Sequence, residues 1–447
     1  MRGHRRRKRK KDRRQHWKLL SGVFLVMICV GVFVCRYTFP KEEAQDDGKG
    51  QQMAENENMD AENREKESSN LPEQGHLESQ EPEGEVEPPE PEPTQEELLE
   101  QEIETFLEGM TLEEKICQMF ILTPEQLTGV AAVTAAGETT KSWLKQYPVG
   151  GLIYFAANLV SEEQTKEMLA HTLEFGKEIE GLPLFLCVDE EGGRVARIGG
   201  NPAFQVERIG PMGEITSEEE AYQAGAAIGK YLKELGFNVD FAPDADVITN
   251  EKNTVIGDRS FGSDPQTVTS LAAAVSNGLH SEGVLSTFKH FPGHGATEAD
   301  THQGYAYAKR SYEELMASEL APFAAAGENG VDMVMAAHIS LPDLLGDDTP
   351  CSLSYQMITE ILRNDLGYDG LVITDSLHMG AIAENYSSDE AAVKAVEAGV
   401  DLLLMPKDFS LACEGIRNAV ADGRISEERI NESLRRILRK KLESLEK

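Results

Sequence analysis

The sequence of 447 residues is poor in cysteine, and its few cysteines are scattered. The six thiols include no Cys-x-x-Cys pair and no zinc-finger spacing, which argues against a disulfide scaffold and against a zinc ribbon. We expect them to be isolated core or anchor residues. Cys351, in a Pro-Cys-Ser-Leu segment, is the one thiol predicted to be exposed.

Basic residues are also scarce, with 43 Lys and Arg against 78 Asp and Glu, for a net charge of −35. A protein that binds nucleic acid needs a basic face for the phosphates, so no nucleic-acid partner is expected. The charge is uneven, because residues 1–18 hold eleven basic residues and one acid, whereas residues 41–94 hold eighteen acids and four basic residues. The acidic remainder favours neutral or cationic ligands over polyanions.

One long hydrophobic run stands out near the N-terminus. Residues 19–35 are apolar apart from Ser21 and the glycines, and a helix of this length is about 25 Å long, near the lower limit for a membrane span. The basic block ahead of it places the N-terminus in the cytoplasm by the positive-inside rule. A cleaved signal peptide is the alternative, but no small-x-small site follows the run. The sequence therefore predicts a single-pass cell-membrane protein with a cytoplasmic tail (1–18), a transmembrane helix (19–40) and an extracytoplasmic remainder.

Residues 41–94 are rich in Glu, Gln, Asn and Pro and have almost no apolar side chains. A segment of this composition cannot bury enough surface to fold. We predict a disordered acidic linker, which spans roughly 40 Å as a random coil. The folded domain then occupies residues 95–447.

Short apolar runs alternate with amphipathic helical segments from residue 95 onward. Near-continuous apolar strands separated by helices are typical of buried parallel strands with crossover helices. Eight such units predict a (β/α)₈ barrel of the TIM type, with a doubly wound open sheet as the alternative. The eight runs are residues 118–122, 151–155, 184–188, 237–242, 284–288, 332–336, 371–374 and 401–405.

Polar residues follow five of these predicted strands directly. Barrel enzymes build their active sites at the carboxyl ends of the strands, so the pattern predicts an active site there. The residues in these positions are Asp189, Glu191, Asp244, Asp246, Lys289, His290, His338 and Asp375.

The segment Lys289–His302 is the densest in ionisable residues, with three histidines, a lysine and two acids. Asp300 and His302 are two residues apart, and a carboxylate hydrogen-bonded to one imidazole nitrogen makes the ring a better acid and base near neutral pH. The alternative is a metal site made by His290, His294 and His302, but the intervening Phe-Pro-Gly is not a helical ligand spacing. We expect no metal and no cofactor.

Asp375 follows the predicted strand 371–374. An acid in this position is either a catalytic carboxylate or the cap of the next helix, and its position alone does not decide between them. The histidine segment favours the catalytic interpretation.

Two further segments are candidates for ligand binding. In Asp189–Arg197, two adjacent glycines indicate a sharp turn or a close approach of the backbone to a ligand, and Asp189 and Arg197 are candidates for binding hydroxyl groups. The segment Asp258–Gly262 is similar, and the alternative there is a turn before a helix with Arg259 on the surface.

Residues 110–441 resemble the family 3 glycoside hydrolases, and in particular their single-domain β-N-acetylglucosaminidase (β-hexosaminidase) branch. The motif Lys-His-Phe-Pro-Gly-His-Gly followed by Asp-x-His is highly specific. The segments that carry the resemblance, in the family's order, are Met110–Lys115, Asp189–Arg197, Arg259–Gly262, Lys289–His302, Thr374-Asp375 and Glu397–Asp401.

The resemblance implies a retaining exo-β-N-acetylglucosaminidase that acts on peptidoglycan or chitin-type fragments. Asp375 matches the nucleophile that forms a glycosyl-enzyme intermediate. His302, held by Asp300, matches the acid/base of this branch. The residues that match substrate-binding positions are Asp189, Arg197, Arg259, Lys289 and His290.

Two other functions remain open. A β-glucosidase or β-xylosidase of the same superfamily normally carries its acid/base glutamate on a second domain, and the chain stops soon after the eighth unit, which favours the aminosugar branch. The second open function is that of a catalytically inactive sugar-binding surface protein. The complete set of Asp375, Asp300 and His302 counts against this function. The sequence does not indicate an oligomeric state.

Overall fold

Eight short parallel strands form the centre of the fold. The computed structural model describes residues 93–297, 301, 304 and 306–444, and every residue of these eight strands is buried. The strands β1 to β8 are Phe120–Leu122, Gly151–Ile153, Phe185–Val188, Val239–Asp240, Thr287–Phe291, Met333–Ala336, Leu371–Thr374 and Leu403–Leu404.

Backbone pairing closes these strands into a ring. One ladder runs in the order β8-β1-β2-β3-β4 and a second in the order β7-β6-β5. Parallel bridges join the two ladders on both sides, between Val239 and Leu285 and between Ile373 and Leu402. Because the eighth strand pairs with the first, the predicted (β/α)₈ barrel is confirmed over the open sheet.

Each predicted run overlaps one strand, but some ends differ. Strand β5 continues through Lys289 and His290 to Phe291, whereas the apolar pattern ends the predicted run at Phe288. The backbone ladder continues because both polar side chains find buried carboxylate partners, Glu191 for Lys289 and Asp246 for His290. The two residues therefore lie within the last part of the strand instead of in the loop after it.

Helices surround the ring. The sequence pattern predicts helices over residues 162–179, 218–235, 264–281 and 389–398, and each is present with ends that differ by one residue at most. Ser161, for example, begins the helix Glu162–Glu180 with a reciprocal capping box with Gln164, and Gly181 ends it with a left-handed backbone. A π-helix spans Gln356–Asp365. The helices α1 to α14 are Gln95–Gly109, Leu112–Gln118, Pro124–Thr128, Glu138–Gln146, Glu162–Glu180, Glu218–Leu235, Pro265–Ser281, Tyr312–Ala317, Ala321–Ala324, Pro342–Leu345, Gly380–Ala383, Ser388–Ala398, Phe409–Ala421 and Glu427–Glu443.

Helix α14 crosses the end of the barrel where the strands begin, which we call the floor. Lys440 forms a salt bridge of 3.1 Å with Asp332, the residue before β6. Lys441 donates a hydrogen bond of 2.7 Å to Gln118, the last residue of α2, which leads into β1. Helix α1 lies along α14 and is held there by salt bridges that include Arg435 to Glu104.

The exposure predicted for Cys351 is wrong. Its side chain is fully buried because the segment folds back onto the barrel. Pro350 pairs with Ser340 in the backbone, and the Ser352 hydroxyl lies 2.7 Å from Nδ1 of the buried His338.

No helix within residues 93–297 and 306–444 is long and apolar enough to cross a membrane. The predicted tail 1–18 and transmembrane helix 19–40 lie outside the described residues, as does the predicted linker except for its last two residues. Of those two, Thr94 forms the N-cap of α1.

Candidate active site

A cavity of about 500 Å³ lies at the end of the barrel where the strands finish. Small-ligand pockets measure about 300–1,000 Å³, so the size suits a ligand of one or a few rings. All six of the described residues that the sequence predicts for catalysis or substrate binding line this cavity: Asp189, Arg197, Arg259, Lys289, His290 and Asp375.

Strand pairing fixes Asp375 at the cavity. Its backbone N–H donates to the carbonyl of Ala336 at the end of the neighbouring β6, at 2.8 Å. One carboxylate oxygen, Oδ1, accepts a hydrogen bond of 2.7 Å from the N–H of Ser376. The next helix begins at Gly380 with Met379 as its N-cap, so Asp375 does not cap it.

His338 supports the segment of Asp375 from behind. This fully buried residue follows β6, and its Nε2 lies 3.0 Å from the carbonyl oxygen of Ser376. A ring nitrogen hydrogen-bonded to a carbonyl oxygen must carry a proton, so in the neutral ring Nδ1 accepts from the Ser352 hydroxyl. His338 is absent from the lining of the cavity, so its position at a strand end reflects support of the site.

Two buried cations share one buried acid beside the cavity. The Nζ atom of Lys289 lies 2.6 Å from Glu191 and 2.9 Å from Asp189. Arg259 donates two hydrogen bonds to Glu191, of 2.7 and 2.8 Å, in bidentate geometry. The Arg259 side chain is only 13% exposed, so the alternative of a surface arginine is wrong.

Burial and ion pairing act in opposite directions on the pKa values of this cluster. Burial opposes the charge of Lys289, but Asp189 and Glu191 outweigh burial and raise the pKa of the ammonium group. Burial likewise opposes ionisation of Glu191, but Lys289 and Arg259 outweigh it and lower the pKa of that carboxyl. Each charged group of the cluster therefore keeps its neighbours in their ionised forms.

Arg197 carries a hydrogen-bond donor that no described residue uses. Its Nη2 atom lies 3.7 Å from Asp189, and its guanidinium group lies 6.0 Å from the ring centre of Phe155. Its buried Nε atom has no hydrogen-bond partner in the described part of the chain. Buried donors are nearly always satisfied in folded proteins, so this one indicates a place for an acceptor atom of a ligand.

The adjacent glycines of this motif form a hairpin turn. Residues Glu190–Gly192 pair antiparallel with Val195–Ala196, and Gly192 and Gly193 have φ values of 86° and 55°. Such values favour glycine over residues that carry a Cβ atom. Of the two roles left open for these glycines, the structure shows the sharp turn, which brings Asp189 and Arg197 to the same cavity.

Three groups lie close enough to hold a metal ion. Asp244, Asp246 and His290 each offer one ligand atom, and these atoms lie within 4.8 Å of one another. However, His290 Nδ1 is already hydrogen-bonded to Asp246 at 2.7 Å, and Arg259 Nη2 lies 3.3 Å from Asp244. The guanidinium group thus supplies positive charge where a metal ion would bind, and the expected absence of a metal stays a prediction.

The alternative metal site made of three histidines receives no support from His294. Its Nδ1 atom lies 2.8 Å from the hydroxyl of Thr297, and its Nε2 atom lies 3.5 Å from that of Thr301. Asp300 and His302 lie outside the described residues, so their acid/base role stays a prediction.

Burial raises the pKa values of the two acids beside His290. The pKa of Asp244 rises to about 7, with the neighbouring Asp246 as the second cause, and burial also raises the pKa of Asp246.

The sequence placed Glu191, Asp244 and Asp246 at strand ends without assigning them a role. One signal was available, because Lys289 and Arg259 in the site require buried acids as partners.

Comparison with known proteins identifies the family. The model of the glycosyl hydrolase family 3 N-terminal domain matches residues 111–440. Beta-hexosaminidase A of Pseudoalteromonas piscicida is 34% identical over 337 residues, which cover 70% of this chain and 56% of that protein. A beta-hexosaminidase of Nitrosomonas eutropha is 38% identical over 293 residues, which cover 63% of this chain and 81% of that protein.

A solved structure agrees with these relatives. The family 3 β-N-acetylglucosaminidase from Paenibacillus sp. str. FPU-7 superposes with a TM-score of 0.70 at 37% identity, and the match covers 75% of this chain and 63% of that one. The chain thus spans less than two thirds of this structure and of the Pseudoalteromonas protein. The resemblance predicted from the motifs is confirmed, and the chain belongs to glycosyl hydrolase family 3.

Proposed function

We propose that this protein is a retaining exo-β-N-acetylglucosaminidase that removes terminal β-linked N-acetylhexosamine from cell-wall or chitin-type fragments. The observation that carries the proposal is that one cavity joins the carboxylate of Asp375 to five polar residues drawn from three other segments of the chain. Relatives named beta-hexosaminidase support the same activity.

The reaction proceeds by double displacement. Asp375 attacks the anomeric carbon and forms a glycosyl ester, while His302 gives its proton to the departing oxygen. His302 then takes a proton from water, and the water oxygen attacks the anomeric carbon and releases Asp375. Both steps balance in protons without a cofactor. The role of His302 rests on the motif.

The charges around the cavity suit a neutral sugar. Among the residues that the structure describes, three basic and three acidic side chains line it, so a neutral ligand disturbs their balance least. The Nε atom of Arg197, which has no hydrogen-bond partner among the described residues, is a donor for a carbonyl or hydroxyl oxygen, such as that of an acetamido group. The six charged residues are Asp189, Glu191, Arg197, Arg259, Lys289 and Asp375.

Turnover of nitrophenyl β-N-acetylglucosaminide, compared with nitrophenyl β-glucoside and β-xyloside, tests the substrate. Trapping with a 5-fluoro glycosyl fluoride of N-acetylglucosamine, followed by peptide mapping, tests the intermediate, and we expect the label on Asp375. Faster turnover of the glucoside or xyloside contradicts the aminosugar assignment. Binding of N-acetylglucosamine without turnover favours the inactive sugar-binding protein. Product analysis on peptidoglycan fragments then identifies the natural linkage.

We also propose that residues 19–40 anchor the protein in the cell membrane, with the catalytic domain outside the cytoplasm. The apolar run and the basic block before it support this topology. We expect the full chain to partition into membranes and a chain that begins at Gln95 to keep full activity on aryl glycosides. Protease added to intact cells should release the domain. Resistance equal to that of a cytoplasmic control protein contradicts the orientation.

A further inference from the structure

We propose that Asp246 is a positioning residue that holds His290 as the neutral tautomer protonated on Nδ1, so that the Nε2 lone pair serves as the acceptor toward the cavity. Asp246 is fully buried and absent from the lining of the cavity, so it acts through His290. The proposal deepens the glycosidase function and rests on it for its kinetic test.

Two contacts determine which nitrogen of His290 carries the proton. Its Nε2 atom lies 3.3 Å from Nη2 of Arg259. An arginine nitrogen only donates hydrogen bonds, so Nε2 must accept and carries no proton. The proton of the neutral ring is then on Nδ1, which donates to Oδ2 of Asp246 at 2.7 Å. Burial and the nearby Arg259 lower the pKa of His290 to about 4, which agrees with a neutral ring.

The same carboxylate joins three parts of the site. Its Oδ1 atom accepts hydrogen bonds from the backbone N–H of His294, at 2.5 Å, and from that of His290, at 3.3 Å. The backbone carbonyl of Asp246 accepts from the hydroxyl of Ser260, at 2.6 Å, next to Arg259. Asp246 thus ties the end of β5 to the following turn and to the arginine segment.

The tautomer decides what the ring offers a substrate. With Nε2 unprotonated, His290 accepts from Arg259 or from a sugar hydroxyl that takes its place. The opposite tautomer directs an N–H at the Arg259 guanidinium, so that two donors face each other. Asp246 therefore selects for a ligand that donates a hydroxyl hydrogen at this point of the cavity.

The floor of the barrel supplies a matched control. There, the buried carboxylate of Asp332 lies 2.5 Å from Nε2 of His280 and accepts from the N–H of Ser286 at 3.0 Å. This pair has the same chemistry as Asp246 and His290 but lies at the opposite end of the barrel from the cavity. Asp332→Asn therefore reproduces the loss of a buried carboxylate partner without touching the site.

The first measurement uses the intact protein. Imidazole ¹⁵N shifts at pH 7, with the His290 signals assigned by their absence in His290→Gln, should show a neutral ring protonated on Nδ1. A ring protonated on Nε2, or a charged ring, overturns the proposal. This result does not depend on turnover. Failure of this proposal is therefore distinguishable from failure of the glycosidase assignment, which is contradicted if the wild-type protein shows no turnover.

The second measurement uses Asp246→Asn, whose amide N–H donates to Nδ1 and favours the opposite tautomer. We expect the ¹⁵N shifts of Nδ1 and Nε2 in His290 to exchange, because Nε2 becomes the protonated nitrogen. We also expect kcat/KM on nitrophenyl β-N-acetylglucosaminide to fall by about a hundredfold or more, as when an orienting aspartate is replaced. In a His290→Ala background the same change should add little further loss. Asp332→Asn should leave the His290 shifts unchanged and kcat/KM within about threefold.

Two outcomes of this second measurement contradict the proposal. One is a folded Asp246→Asn variant whose His290 shifts do not change. The other is a loss from Asp246→Asn that multiplies with the loss from His290→Ala, because independent effects show that Asp246 does not act through the ring. Should Asp246→Asn fail to fold, the tautomer measured in the wild-type protein still decides.

Discussion

Glu191 Oε1 lies 2.6 Å from Nζ of Lys289, and the two side chains are only 1% and 3% exposed. Glu191 also receives both hydrogen bonds of the Arg259 fork, so one buried carboxylate holds two residues predicted to bind the sugar. A side chain for which the sequence suggested no role is therefore central to the electrostatics of the site.

Glu191→Gln should destabilise the fold and weaken substrate binding. Breaking a buried ion pair costs about 3–5 kcal/mol, because the remaining charges lose their partner. We expect a loss of about 3 kcal/mol in urea unfolding, together with a higher KM. Glu397→Gln is the control, since its 2.9 Å pair with Arg424 is exposed and such pairs contribute about 0–1 kcal/mol. Equal losses in the two variants contradict this account.

Asp375→Asn should abolish turnover without unfolding the protein. The change removes the proposed nucleophile and leaves the apolar core intact, so we expect kcat to fall by at least about a thousandfold. Thermal unfolding should match that of the wild type. Asp422→Asn, at an exposed position, is the control and should keep full activity. Near-normal turnover by folded Asp375→Asn removes Asp375 from the mechanism.

His302→Ala should affect substrates according to their leaving groups. A poor leaving group requires protonation and an activated aryl group does not. We expect kcat/KM on an N-acetylglucosamine disaccharide to fall by about a hundredfold more than the rate of the first step on a nitrophenyl glycoside. Asp300→Asn should act in the same direction. Equal losses on both substrates mean that His302 is not the acid.

Chelation should leave the activity unchanged. The groups of Asp246 and His290 that lie close enough to bind a metal are hydrogen-bonded to each other, and attack by a carboxylate needs no Lewis acid. Activity on nitrophenyl β-N-acetylglucosaminide after prolonged EDTA treatment and gel filtration checks this prediction. Loss of activity that Zn²⁺ restores supports a metal site instead.

Lys441→Met should stabilise the protein most below neutral pH. The Lys441 side chain is 1% exposed, donates to Gln118 and forms no salt bridge with a carboxylate of the described chain. Burial lowers its pKa to about 7, although Glu180 opposes the shift. From about pH 7 to the unfolded pKa of about 10.4, the unfolded chain binds more protons, so the destabilisation is complete below pH 7 and fades as the pH rises.

We therefore expect Lys441→Met to raise the free energy of unfolding by about 1–4 kcal/mol at pH 6.5 and by less at pH 9.5. Denaturant unfolding at the two pH values measures the difference. Lys407→Met, at an exposed position, should change neither value. A gain that is equal at both pH values contradicts the assignment of the effect to a buried charge.

The position of the site could be predicted because it depends on a local pattern. Asp189, Lys289 and Asp375 each follow directly after an apolar run, and the ends of parallel strands meet at one face of a barrel. The partners of these residues could not be predicted. Asp246 lies 44 residues before His290 in the chain, and the bond between them arises only when two strands bring their ends together.

Local pattern also misled where burial depends on tertiary contacts. Arg259 follows Gly257 and Asp258 and has the sequence context of a surface turn, yet Glu191, 68 residues earlier, accepts the hydrogen bonds of its guanidinium group in the interior. Cys351 lies in a segment typical of an exposed loop but is covered because Pro350 pairs with Ser340. In both cases the deciding partner is distant in sequence, and spacing carries no information about it.

The way the chain enters the barrel has a practical consequence. Thr94 caps α1, which lies along α14 on the floor, and the cavity opens at the other end of the strands. A bead, dye or fusion partner joined ahead of Thr94 is thus attached behind the barrel. Protein immobilised through this point should keep the opening of the cavity facing away from the support, so that even an insoluble glycan particle can reach it.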